Sequence, residues 1–266
     1  MIVIGVGILN VILGLAYTTY GFITLSEMKR AWKTMGFSHF GAAWVFMAFT
    51  CGPHHLVHGI HVLFEGRMGG SWDFTAVAIG FPAGVAFLLL RVEAWMGGRG
   101  DRFVSGTPMW IQALPTGAAV YGTALVSWFV YQNRNFSLPR QVVPNVLLIV
   151  VYMMIGYFLT RTQLRNRETL HGWSVSGLSL SIVFPTCALM HGIYATYAAK
   201  GLYHLDWHGF AIDWLAVPAA VYFLWVVRNL YRRSTLDWNR RMMDAVPDRR
   251  AAAVSIDDRP SVMQGG

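Results

Sequence analysis

Two cysteines occur in the 266-residue chain, and each stands four residues before a histidine: Cys51-Gly-Pro-His-His55 and Cys187-Ala-Leu-Met-His191. Positions i and i+4 of a helix lie one turn apart on the same face, so each pair can grip one ion from a single helix. Thiolate and imidazole in a dry, low-dielectric site suit a soft or borderline cation, Cu(I) or Zn(II). A lone intramembrane Cys or His is ordinarily a packing or hydrogen-bonding residue. A Cys-His pair kept twice at one spacing weighs against that bland reading. His54, His58 and His61 form a further stripe on the first of these helices, and His204 and His208 are again i and i+4, which together make a candidate second, outer site.

The elements that must carry these residues are membrane helices. The chain is 55% hydrophobic and 13% charged, with mean hydropathy +0.43, about half the charged fraction of a soluble domain. This composition argues against a soluble enzyme, a disordered scaffold or a nucleic-acid binder, and the surplus of Lys and Arg over Asp and Glu becomes a topology signal. Apolar runs near the ~20 residues that cross a bilayer lie at 3–24, 41–64, 74–92, 110–131, 142–160, 174–197 and 209–228. Seventeen of the 21 Lys and Arg fall in alternate loops and in the segment after the last run. The positive-inside rule then predicts an outer N-terminus and a cytoplasmic C-terminus. The first run starts at Met1 with no basic n-region, so a retained helix is expected instead of a signal peptide. The expectation is an all-α polytopic protein with seven transmembrane helices, in the plasma (inner) membrane.

Self-similarity accompanies this plan. Asn10, Leu13, Tyr17 and Gly21 match Asn145, Leu148, Tyr152 and Gly156 at an offset of 135, while Ser38, Gly41, Thr50, Cys51 and His55 match Ser174, Gly177, Thr186, Cys187 and His191 at 136. Pro82 and Pro218 continue the series. A shared Asn, Thr-Cys, His and Pro in fixed order predicts two three-helix repeats, residues 1–92 and 136–233. A linker with the fourth span, 93–135, would join them, and a disordered cytoplasmic tail, 234–266, would follow. Asn10, Asn145, Tyr17, Tyr152, Thr50 and Thr186 are the expected supporting polar residues.

The stretch Phe40-Gly-Ala-Ala followed by Phe49-Thr-Cys51-Gly52-Pro-His-His55-Leu-Val resembles the second helix of the plant and cyanobacterial ethylene receptors, and Leu15-Ala-Tyr17 resembles their first. Asn10 and Asn145 fall where that family has an Asp seven residues before the Tyr. The resemblance covers about 90 residues, and the second repeat more weakly. It implies a bound copper ion that takes a small neutral ligand, and a dimeric pair of three-helix modules, here fused in one chain.

Three functions are compatible with these features. The first is a Cu(I)-binding membrane module, a small-ligand sensor or accessory subunit that works through a membrane or cytoplasmic protein partner. The second is a metal or small-molecule transporter on a 3+1+3 plan, with the histidine stripe as its funnel. The third is a redox subunit in which His55 and His191 are axial ligands of one haem. No catalytic motif is found, and Zn or haem replaces copper in the alternatives.

Overall fold

The structure, a computed structural model, describes residues 1–66, 69–104, 142–168, 170–200 and 207–232, with isolated helical positions at 120, 127 and 131. Six helices are described: α1 (Ile2–Met35), α2 (His39–Glu65), α3 (Ser71–Trp95), α4 (Val143–Asn166), α5 (Val175–Ala199) and α6 (Trp207–Arg232). A two-residue strand β1 (Phe103–Val104) pairs antiparallel with β2 (Trp173–Ser174). The expected fourth span at 110–131, the tail from residue 234, His204 and the side chain of His208 lie outside the described residues.

Five of the helices, α1, α3, α4, α5 and the Ala211–Arg232 part of α6, are long and apolar enough to cross a membrane. The chain is a polytopic membrane protein. α2 has 27 residues, about 40 Å at 1.5 Å per residue, and its histidines keep it less apolar than the other five. In a bilayer only helices satisfy their own backbone groups within one segment, which lets the Val- and Ile-rich runs of this chain form helices despite their β-branching.

Helix ends are marked by residues suited to them. Ser38 caps α2 by accepting from Gly41 N at 2.9 Å, and Ser174 caps α5 by accepting from Gly177 N at 2.9 Å. The Ser174 cap is itself held: its hydroxyl donates to Asp101 Oδ2 at 2.6 Å, and Asp101 Oδ1 accepts from Ser176 N at 3.0 Å. α2 ends at Gly66, whose φ of 65° places it in the left-handed region that glycine enters without steric cost.

α1 packs on α2 and α3, α4 packs on α5 and α6, and the two groups meet where α3 lies on α5 and α2 lies on α6. The closest approach is between α1 and α2. A Cβ at Gly14 would meet Gly52 O at 2.8 Å and Leu56 N at 2.7 Å, and one at Gly52 would meet Thr18 N at 2.9 Å, so small residues let the two backbones touch. α5 is the innermost helix, with 89% of its apolar window buried against 39% for each of the other four spans.

The core is layered. Trp44 of α2 lies 5.3 Å from the ring of Tyr20 (α1), 5.2 Å from Phe87 (α3) and 5.4 Å from Phe223 (α6), and Phe184 (α5) stacks on Phe223 at 5.2 Å. Rings from five helices thus fill one level of the bundle. The two cysteines sit above them, and His54, His55 and His191 sit above the cysteines.

Candidate metal centre

His54 and His55 are adjacent in α2, so their side chains leave the helix about 100° apart and face different neighbours. His55 turns to α1: its Nδ1 is 2.7 Å from Asn10 Oδ1, and its ring stands edge-on to Tyr17 at 5.2 Å. His54 turns to the other group of helices, with its ring 5.1 Å from His191 of α5 and its Nδ1 2.9 Å from Asp213 Oδ1 of α6. His191 in turn has Nδ1 2.6 Å from Asn145 Oδ1, and Asn145 Nδ2 donates to Asp213 Oδ2 at 2.8 Å.

The amides fix the histidine tautomers. Asn10 Nδ2 donates to Val6 O at 2.9 Å and Asn145 Nδ2 to Asp213, so in both residues Oδ1 is the atom turned to the imidazole. A carbonyl oxygen only accepts. Nδ1 of His55 and of His191 therefore carries the hydrogen, and the lone pair that can bind a metal is on Nε2. Orientation of a ligand imidazole through its other nitrogen is the usual support of a metal site.

Among the described residues, one group of three or more potential ligands converges: His54, His191 and Asp213 each place a ligand atom within 4.8 Å of the others. They come from α2, α5 and α6, and all three are buried, Asp213 completely. His54 Nε2 has no hydrogen-bond partner. An uncompensated carboxylate in a bilayer is costly; here His54 and Asn145 face its two oxygens. Two imidazoles and one carboxylate are a donor set for a divalent transition metal such as Zn(II), Co(II) or Fe(II).

The four residues singled out from the sequence meet at one place. Cys51, His55, Cys187 and His191 line a void of about 10 Å³ together with His54, Met190 and Tyr194, close to the minimum for one water-sized body. A second void of about 20 Å³ lies on the other side of the two cysteines, walled by Tyr20, Trp44, Met47, Ala48, Val183 and Phe184 among others. Both cysteines are free, and Cys51 Sγ is 3.1 Å from Tyr152 OH. The tight three-ligand group nevertheless draws only His191 from that set. It adds His54, expected in an outer stripe, and Asp213, which sequence reasoning passed over.

The remaining expected residues divide. Asn10, Asn145 and Tyr17 flank the two histidines as described, and the ring of Tyr152 lies 5.3 Å from that of His191. Thr50 and Thr186 donate instead to carbonyls of their own helices, Phe46 O and Ile182 O, at 3.0 Å each, a local bond typical of helical threonine. His58 is buried one turn beyond His54, and His61 is partly exposed. The signal for Asp213 was present: a carboxylate in the midst of Phe-Ala-Ile-Asp-Trp-Leu-Ala-Val is an intramembrane charge and a functional candidate by default. Comparison with family models, curated proteins and solved structures found no match.

Proposed function

We propose that the protein is an integral-membrane metal-binding protein that holds one transition-metal ion between α2, α5 and α6 on His54, His191 and Asp213. The observation that carries this reading is the convergence of those three buried ligands. Cys51, Cys187 and His55 border a void that His54 and His191 also line and add the soft donors that would favour Cu(I), the metal implied by the resemblance to ethylene receptors. The apolar void behind the cysteines suits a small neutral ligand of an ion that Cys51 and Cys187 help to hold, and the role in view is that of a ligand sensor or accessory subunit acting with a protein partner. The pairing of the helices supports the two-repeat plan, since exchanging α1, α2 and α3 with α4, α5 and α6 leaves the set of packed pairs unchanged. A porphyrin between His55 and His191 is not favoured, because the void there is far smaller than the ring.

The test is metal analysis of the purified full-length chain after titration with Co(II) or with Cu(I) under reducing conditions. About one ion per chain is expected, with Asp213→Asn lowering retained Co(II) at least tenfold. The double variant Cys51→Ala/Cys187→Ala is expected to keep Co(II) and to lose Cu(I). A wild-type chain that retains neither metal after desalting overturns the reading.

A further inference from the structure

The bundle contains a second pair of buried polar groups that the three-ligand cluster does not use. His58 is 1% exposed, and neither of its ring nitrogens has a hydrogen-bond partner. Opposite it, in the first turn of α3, is the fully buried Asp73. Asp73 Oδ2 accepts from the Tyr197 hydroxyl of α5 at 2.7 Å, while Oδ1, itself without a hydrogen-bond partner, lies 4.0 Å from His58 Nε2. Buried polar groups in proteins are almost always paired, and a bilayer-spanning bundle has the least to gain from leaving two of them facing each other. Two metal–ligand bonds of about 2.0 to 2.2 Å set at a wide angle span such a separation.

Position along α2 gives the pair an order relative to the inner cluster. At 1.5 Å per residue, His58 lies about 10 Å from the end of α2 at Glu65 and His54 about 16 Å, so the His58–Asp73 pair is the shallower of the two. The ring of Tyr194 stands beside both imidazoles, 4.5 Å from His58 and 4.6 Å from His54. An aromatic face attracts a cation electrostatically. His61, partly exposed one turn nearer the surface, continues the column of imidazoles outward.

We infer that His58 and Asp73 form a second cation site, a shallow station from which a divalent transition-metal ion passes along Tyr194 to His54, His191 and Asp213. The inference rests on the reading of that inner cluster as a metal site and gives the site a side of approach. The approach is from the end of the bundle where α2 turns into α3, the end that the distribution of Lys and Arg predicts to be outside. Tyr197 is a positioning residue here, holding one carboxylate oxygen of Asp73 so that the other faces His58.

Stopped-flow absorbance of detergent-solubilised full-length protein mixed with Co(II) separates the two sites, since the inner cluster is read by the final intensity of the ligand-field bands and the shallow station by the rate of their appearance. His58→Phe and Asp73→Asn are expected to reach the wild-type final intensity at least tenfold more slowly, and Asp213→Asn is expected to lose the final intensity itself. Asp73→Asn keeps the size of the side chain and an acceptor for Tyr197, so it remains informative where His58→Phe fails to fold. Wild-type loading rates in Asp73→Asn, or in folded His58→Phe, overturn the station while leaving the inner site intact. Absence of bands in the wild type overturns both.

Discussion

The Asn10–His55 pair and the Asn145–His191 pair are built alike and end differently. In each, an asparagine carbonyl accepts from histidine Nδ1, at 2.7 Å and 2.6 Å, and the asparagine amide donates onward. From Asn10 it reaches a backbone carbonyl of its own helix, Val6 O; from Asn145 it reaches the carboxylate of Asp213 on α6. The first pair therefore has no carboxylate and closes on α1. The second is tied to an anion that also faces His54, and this is where three ligands converge. A histidine oriented by an amide is not enough for a cluster: the carboxylate turns one of two similar pairs into a candidate site and recruits a histidine from the opposite group of helices.

The strongest break of this contrast is removal of the charge. Asp213→Asn should leave the second pair, like the first, without a carboxylate and reduce bound metal at least tenfold, measured by elemental analysis. Next in size, Asn145→Ala should weaken metal affinity about 10- to 100-fold, the usual consequence of deleting a group that orients a ligand histidine. Asn10→Ala should change it less than threefold in the same chelator competition. Equal losses in the two variants would place the metal between the pairs and restore the Cys51, His55, Cys187 and His191 set as its ligands.

Packing differs between the two groups as well, on a smaller scale. Gly52 touches the backbone of α1, so Gly52→Ala should cost about 1 to 3 kcal/mol by overpacking. Ala188 holds the corresponding place in α5, and Ala188→Gly should cost only about 0.5 to 1 kcal/mol. Reversible unfolding in mixed micelles compares them. The smallest effect is expected at the caps: Ser38→Ala should cost about 1 kcal/mol. Ser174→Ala should cost somewhat more, because its hydroxyl also donates to Asp101.

Much of this arrangement was legible in the chain itself. Hydropathy located the helices that are described, and the spacing of Cys51 to His55 and of Cys187 to His191 brought attention to residues that do border one void. The repeat points to Asn10 and Asn145 as supporting residues, and they are the partners of His55 and His191. What sequence could not supply was the neighbour faced by each side of α2. His54 and His55 differ by 100° on a helical wheel, but only the packing of α2 on α6 shows that His54, not His55, meets a carboxylate. Asp213 escaped for a related reason. Asp213 has no repeated counterpart, since Val77 stands at the equivalent offset, so self-similarity does not point to it.

The ring layer around Trp44 has a consequence for the membrane's electrical insulation. Among the described residues, Tyr20, Trp44, Phe87, Phe184 and Phe223 form a layer below the cysteines with no carboxylate or imidazole in it, and an ion stripped of ligands pays several kcal/mol to enter such surroundings. A cation exchanging at the histidines would leave by the face it came from. Occupancy of the centre could then rise and fall with the supply of metal on one side while the potential across the membrane, and the ion gradients stored in it, were left undisturbed.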